Sequence, residues 1–260
     1  MGKLFLLRYD TEADNPETMA GFFEKTVEVH RREEIPATFF CRGGAMDARE
    51  DHFRQFYEEV RGDPLFDIQD HSYTHIGLCY ERGRGIDELR ADYERSFAVH
   101  ERLFGVRPVG ISLCGTSGRD GAPLPGFDST DKARQEFEMV AGLGVRMLNT
   151  RLVGHQTKSE FVNYGSLGHG DIMGFPSGYS DTDWMYQRNH GDPDEYVASI
   201  IGEHASHGWH MPLMLHDWCA WTCADDKELT HVRRAADVAR RLGYELRTHI
   251  TCLNDTSLWK

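Results

Sequence analysis

The chain has 260 residues, enough to bury a large core, and α/β barrels of this size are commonly one domain. Its 42 acidic against 29 basic residues give a formal charge of -13, which speaks against nucleic acid and anionic membrane as partners, because both need a net-positive face. Mean hydropathy is -0.55, and no apolar stretch approaches the roughly 20 residues of a membrane span.

Near the start the longest apolar run is Leu4 to Leu7, well short of the ~7–15 residues of a secretory leader. A cytoplasmic protein is therefore expected. The six cysteines, Cys41, Cys79, Cys114, Cys219, Cys223 and Cys252, contain no C-x-x-C and read as free buried thiols.

Strand and helix patterns alternate from end to end, which argues an α/β fold with a parallel sheet. The first strand, 3–10, runs into Asp10-Thr11-Glu12. On extended chain, residues two apart point the same way, so Asp10 and Glu12 share a site with Arg8 one layer below. The run could simply cap the helix that follows before Pro16; otherwise two carboxylates in one place need a reason, and a bound cation is the simplest. Asp14-Asn15-Pro16-Glu17 signals the start of a helix over 16–33, followed by a strand at 36–42 and a helix at 46–61.

The strand at 65–71 leads into His71-Ser72-Tyr73-Thr74-His75. In a chain with 14 histidines the spacing alone carries little weight. The weight lies in its position after a strand, where both imidazoles can face one point. Neutral imidazole is a common zinc ligand, and a carboxylate often completes three protein ligands.

A helix follows at 86–104, with Leu89, Tyr93, Phe97 and Leu103 on one face. Then come a strand at 108–113, a helix at 129–142 and strands at 145–152 and 171–175. Between them, 114–128 and 154–170 are Gly-, Ser- and Pro-rich, and loops of this length inside a compact domain usually form lids or walls. A helix at 193–207 precedes the strand at 211–217, whose apolar run ends in His216-Asp217-Trp218. A helix at 226–242 and a strand at 244–250 complete the pattern.

If these strands belong to one barrel, Asp10, Glu12, His71, His75 and His216 meet at its carboxyl-terminal rim, where such folds keep their chemistry. His204, His207 and His210 straddle a helix end and read as surface partners of the helix dipole. Asn254-Asp255-Thr256 matches a glycosylation sequon, without meaning in a protein that is not secreted. Cys219 and Cys223 flank a helical turn but bring too few ligands for a zinc thiolate site.

Together these residues resemble the NodB-homology polysaccharide deacetylases, carbohydrate esterase family 4, from Leu4 to about Trp218. The family's first motif matches Asp10-Thr11-Glu12, and its second strand matches Ala37-Thr38-Phe39-Phe40. His71-Ser72-Tyr73-Thr74-His75 stands for the second motif, Asp183-Trp184 for the fourth and Leu213-Met214-Leu215-His216 for the fifth. The metal-binding carboxylate, usually Asp, is here Glu12. The third motif's Arg is missing, with Ser112 in its place, so the chain resembles a divergent branch.

The resemblance implies a distorted, TIM-like (β/α) barrel of seven to eight parallel strands forming one domain over 1–260. It implies a metal-dependent hydrolase of carbohydrate metabolism that removes an N-acyl group, acetyl first among them, from a sugar or glycan precursor. One divalent ion, Zn²⁺ in first place, would sit on Glu12, His71 and His75, with Asp10 as base and His216 as acid; Asp10 and Glu12 could exchange roles. The expected partner is a small-molecule or glycan substrate, with oligomeric state open. Asp183 or another buried acid is expected behind His216, and a cation in place of the missing Arg near Asp10, with Arg151 preferred to Arg8. The alternatives are cleavage of another non-peptide C–N bond, such as a cyclic amide or ureide, and a sugar-binding barrel without turnover.

Overall fold

The computed structural model describes residues 2–78, 84–114, 131–149, 160–176, 179–181, 191–219, 221 and 226–259. The central strand, β1 (Lys3–Thr11), is buried at every position after Lys3, as a parallel strand covered on both faces must be. Phe5, Leu7 and Tyr9 pack into the layer of outer helices with Met19 and Phe22. Leu4 and Leu6 point the other way, onto Met147, Met173 and Phe175. The two-residue period then puts Arg8 and Asp10 on that inner face.

The remaining strands are β2 (Ala37–Cys41), β3 (Phe66–Asp70), β4 (Gly110–Ser112), β5 (Met147–Asn149), β6 (Val162–Tyr164), β7 (His169–Phe175), β8 (Tyr179–Ser180), β9 (Met211–His216) and β10 (Tyr244–Leu246). They form one sheet in the order β6-β7-β5-β4-β3-β2-β1-β9-β8, with β10 added to β1. Apart from the antiparallel β6–β7 pair, neighbours are parallel. Among the described residues no pairing joins β6 to β8, so the expected α/β alternation and parallel sheet are present but the sheet is not closed. Phe5 pairs with Met211 of β9 and Leu246 of β10. Thus β10 occupies the edge of β1 opposite β9, below the stretch that β2 takes.

Around the sheet run α1 (Pro16–Arg32), α2 (Gly43–Ala48), α3 (Glu50–Val60), α4 (Ile86–Phe104), α5 (Asp131–Gly142), α6 (Pro193–His207), α7 (Thr230–Arg241) and α8 (His249–Leu253). Asn15 caps α1 by accepting from the amides of Glu17 and Thr18, and Pro16 occupies its first turn, where a missing N–H costs nothing. The helix expected at 46–61 is two helices that begin earlier and break at Arg49 (φ -135°, ψ 42°). Its early start needs Gly43, where a Cβ would stand 2.4 Å from Ser96 Oγ.

The strand expected at 244–250 stops at Leu246, because Thr248 caps α8 by accepting from the Thr251 amide. This short helix plugs the lower end of the sheet. His249 donates its amide to Thr38 Oγ1 at 2.9 Å and faces Asn149 Nδ2 at 2.6 Å. Asp67, pushed up to about 6 by burial, accepts from Thr38, Gln69 and the Ile250 amide. In the described part of 154–170, β6 and a 3-10 turn (Gly165–Leu167) replace the expected loop.

Of the three histidines expected at the surface, His207 is exposed and stacks on Trp209, whereas His204 and His210 make structural hydrogen bonds. His204 is buried and bonds the His210 carbonyl at 2.8 Å, while His210 Nδ1 accepts from the Leu4 amide. Among the described residues no helix is long and apolar enough to cross a membrane.

Behind β1, His30 Nδ1 lies 2.6 Å from the Ile35 carbonyl, so it carries the proton, and Nε2 accepts from Tyr9 Oη at 2.9 Å. Burial lowers the His30 pKa from 6.5 to about 4. The unfolded chain therefore binds this proton more tightly, and stability falls as pH drops through 6.5 toward about 4. His30→Phe should flatten this acid loss by about 3 kcal/mol, read from urea unfolding at pH 7 and pH 4.

Candidate active site

The ladder sets the site's first dimension: Asp10 pairs in register with His216 of β9. Asp10 is 3% exposed. Its Oδ1 accepts from Ser112 Oγ at 3.2 Å, and Arg8 Nη1 donates to the same Ser112 oxygen at 2.8 Å. Arg8 Nη2 stands 3.4 Å from Asp10 Oδ2. Burial lowers the Arg8 pKa against the attraction of Asp10, but a guanidinium keeps its charge in proteins. The cation beside Asp10 is thus Arg8, whose stem reaches up from the layer below. Arg151 lies outside the described residues.

Glu12 follows on the same strand end, and its Oε2 faces two imidazoles, His75 Nε2 at 3.1 Å and His71 Nε2 at 3.6 Å. Burial would raise Glu12, but the hydrogen bonds with His71 and His75 override it and hold the carboxyl well below the usual range. His71 Nδ1 lies 3.1 Å from the Ser112 carbonyl. A carbonyl only accepts, so Nδ1 carries a proton and Nε2 points at Glu12 and at Asp10 Oδ2, 3.8 Å away. Burial opposes a charge on His71, yet Cys114 and the two carboxylates raise its pKa well above the imidazole value. The ring centroids of His71 and His75 are 5.0 Å apart.

The loop that carries the pair is held by its neighbours. Ser72 and His75 take left-handed backbone angles, φ 58° and 62°, at a cost of about 1–3 kcal/mol each. Asp70 accepts from the Ser72 amide and from Ser96 of α4. Asp92, one turn earlier on α4, accepts from the amides of Tyr73 and Thr74.

His216 is backed by Asp181, whose Oδ1 is 2.7 Å from Nδ1 and whose Oδ2 accepts the His216 amide at 2.7 Å. Burial lowers the His216 pKa, but Asp181, with Asp10 and Glu12 beyond, raises it to about 9. The acid behind His216 is thus Asp181; Asp183 lies outside the described residues.

Cys114 stands close by, and His71, His75 and Cys114 bring donor atoms within 4.8 Å of one another. The sulfur is almost equidistant from the two nitrogens of His71, 3.7 and 3.8 Å. That puts it off the lone-pair axis of either one, and Glu12 Oε2 is the better-aimed third donor.

Sequence reasoning did not assign roles to Asp181, Asp217, Trp218 or Cys114. Asp217 is fully buried and accepts from the amides of Glu12, Ala13 and Trp218; burial pushes its carboxyl up to about 7 against those bonds. Asp217 and Trp218 directly follow His216, the one signal available. Asp181 follows a two-residue strand, too short to carry a pattern.

Because Asp181 raises His216, this residue's contribution to stability is complete below 6.5 and is lost as pH rises through about 9. Asp181→Asn should move the His216 titration from about 9 back toward the ordinary imidazole range, as read by NMR on metal-free protein. An unmoved midpoint would assign the shift to other charges.

The sequence matches no protein-family model and no curated protein. Solved structures do share its fold. A protein from Mycobacterium smegmatis assigned to the polysaccharide deacetylases superposes with a TM-score of 0.68 at 15% identity, over 98% of this chain and 90% of that one. The chitin deacetylase of Colletotrichum lindemuthianum gives 0.59 at 17% identity, over 98% and 89%. A carbohydrate esterase family 4 pseudoenzyme from Bacillus anthracis gives 0.54 at 12% identity, over 97% and 66%. Nearly the whole chain therefore has the NodB-like fold of carbohydrate esterase family 4, in a divergent form.

Proposed function

We propose that the protein is a metal-dependent hydrolase that removes an N-acyl group, acetyl, from a sugar or glycan precursor. The observation that carries this reading is the convergence of His71 and His75 on one oxygen of Glu12, beside Asp10 and an Asp-backed His216. His71 Nε2 points at two carboxylates while its Nδ1 proton is taken by the Ser112 carbonyl. With Nε2 unprotonated this arrangement is repulsive, and either a second ring proton or a bound cation relieves it; imidazole, imidazole and carboxylate form a donor set suited to zinc. The residues fit the ion: Glu12, His71 and His75 would hold it.

Bound there, a divalent ion would supply a Lewis acid for the acyl carbonyl and acidify water. Asp10 takes the proton of the attacking water, its carboxylate aimed by Ser112 and Arg8. His216 holds a proton near neutral pH because Asp181 backs it, and it delivers that proton to the amine nitrogen as the C–N bond breaks. A carboxylic acid and a free amine result. The glycan substrate is supported by the fold shared with a chitin deacetylase.

The test is elemental analysis followed by a panel of N-acetyl sugars, cyclic amides and ureides with and without chelator. Turnover of N-acetyl sugars that chelator abolishes and zinc restores is the expected result. Turnover confined to cyclic amides would replace the substrate class. Sugar binding without turnover would support the non-catalytic barrel, a state for which the pseudoenzyme of the same fold is a precedent.

His216→Ala should lower kcat by roughly 10²–10⁴ with metal content unchanged. Loss of metal in that variant would make His216 a ligand and overturn its assignment as acid. His71→Ala, by contrast, should abolish stoichiometric zinc in elemental analysis.

A further inference from the structure

Trp218 lies two residues beyond His216, its ring 5.2 Å from that imidazole. Its indole N–H donates to Glu12 Oε1 at 3.0 Å, and an indole nitrogen can only donate. The opposite oxygen, Oε2, is the one that faces His75 and His71. The carboxylate is therefore divided, with one oxygen committed to Trp218 and one left for the imidazole side.

Asp217 fixes the backbone of the same residue by accepting the Glu12 amide at 3.1 Å and the Ala13 amide at 2.9 Å. Glu12 carries one more rotatable bond than an Asp would, and the Trp218 bond restricts that freedom.

We propose that Trp218 is a positioning residue that makes Glu12 a one-oxygen metal ligand, holding Oε2 between the two imidazoles. The inference rests on the metal-site reading above. Groups that orient a metal ligand in this way typically contribute 10–100-fold to metal affinity.

Trp218→Phe keeps an aromatic ring against His216 and removes only the N–H. Metal-free protein titrated with zinc against a competing chelator should bind about 10–100-fold more weakly in this variant. Because Trp218 acts through Glu12, the same substitution in a Glu12→Ala background should change affinity by less than about twofold. A merely structural role would persist in that background. Thermal unfolding of the metal-free variants checks that they fold.

If Trp218→Phe does not fold, the wild type and Glu12→Ala, both of which keep Trp218, decide. The indole ¹H–¹⁵N resonance of Trp218 should shift as zinc is added and stay still in Glu12→Ala.

An affinity within about threefold of wild type, an effect undiminished without Glu12, or an indole resonance that ignores zinc would each overturn the inference. A wild type that takes up no zinc would bring down the metal reading as well. Zinc binding without turnover would remove only the hydrolase reading, with the affinities still deciding the role of Trp218.

Discussion

The parallel pairing of β1 along both edges is the constraint on which the rest depends. On one side it sets Asp10 level with His216. On the other, Thr11 pairs with Cys41, and Cys41 pairs with Asp70, the residue before His71. Asp70 in turn pairs with Ile111, beside Ser112. Side chains alternate along a strand, so a slip of one residue would send Asp10 and Arg8 into the helix layer and bring Tyr9 inward. The aromatic packing of Tyr9 against Phe22 and Phe39 resists that slip. The outer core thereby holds the inner face in register.

Charge is the second organising theme. Asp10, Glu12, Asp181 and Asp217 gather at the ends of β1, β8 and β9, and each has a distinct compensation. Asp10 has Arg8 and Ser112, and Glu12 has two imidazoles and an indole. Asp181 has both the ring and the amide of His216. Asp217 has the backbone amides of Glu12, Ala13 and Trp218 and the nearby His216 charge. Buried carboxylates without such partners would be costly; with them, each is fixed in one orientation, which a site for acid–base chemistry requires.

Much of this was legible in the chain itself. The short apolar run of β1 leads straight into Asp10, the two-residue period of an extended strand assigns Asp10 and Glu12 to one face, and the helix over 86–104 shows both its apolar stripe and its end at Gly105. What escaped was non-local. No pattern shows that the stem of Arg8 reaches Asp10 and Ser112 at the end of a strand remote in sequence. Asp181 acquires meaning only through the β8–β9 pairing. The early start of α2 at Gly43 and the turn into α8 depend on contacts with Ser96, Thr38 and Asp67. Short-range periodicity is blind to these. Tyr73 likewise lies in the His loop as an ordinary residue until its ring is found under the Arg95 guanidinium.

The placement of β10 and α8 bears on how the protein is made. β10 pairs with the first residues of β1, and α8 caps Asp67 and Thr38 from beneath, so partners some two hundred residues apart in sequence must find each other. During synthesis, β1 emerges well before residues 244–253 and stays uncovered on its lower edge until they follow. A hydrophobic, unpaired strand edge of that kind invites wrong pairing. The sheet's lower end is therefore completed only by contacts of high sequence separation, the kind that form late in folding.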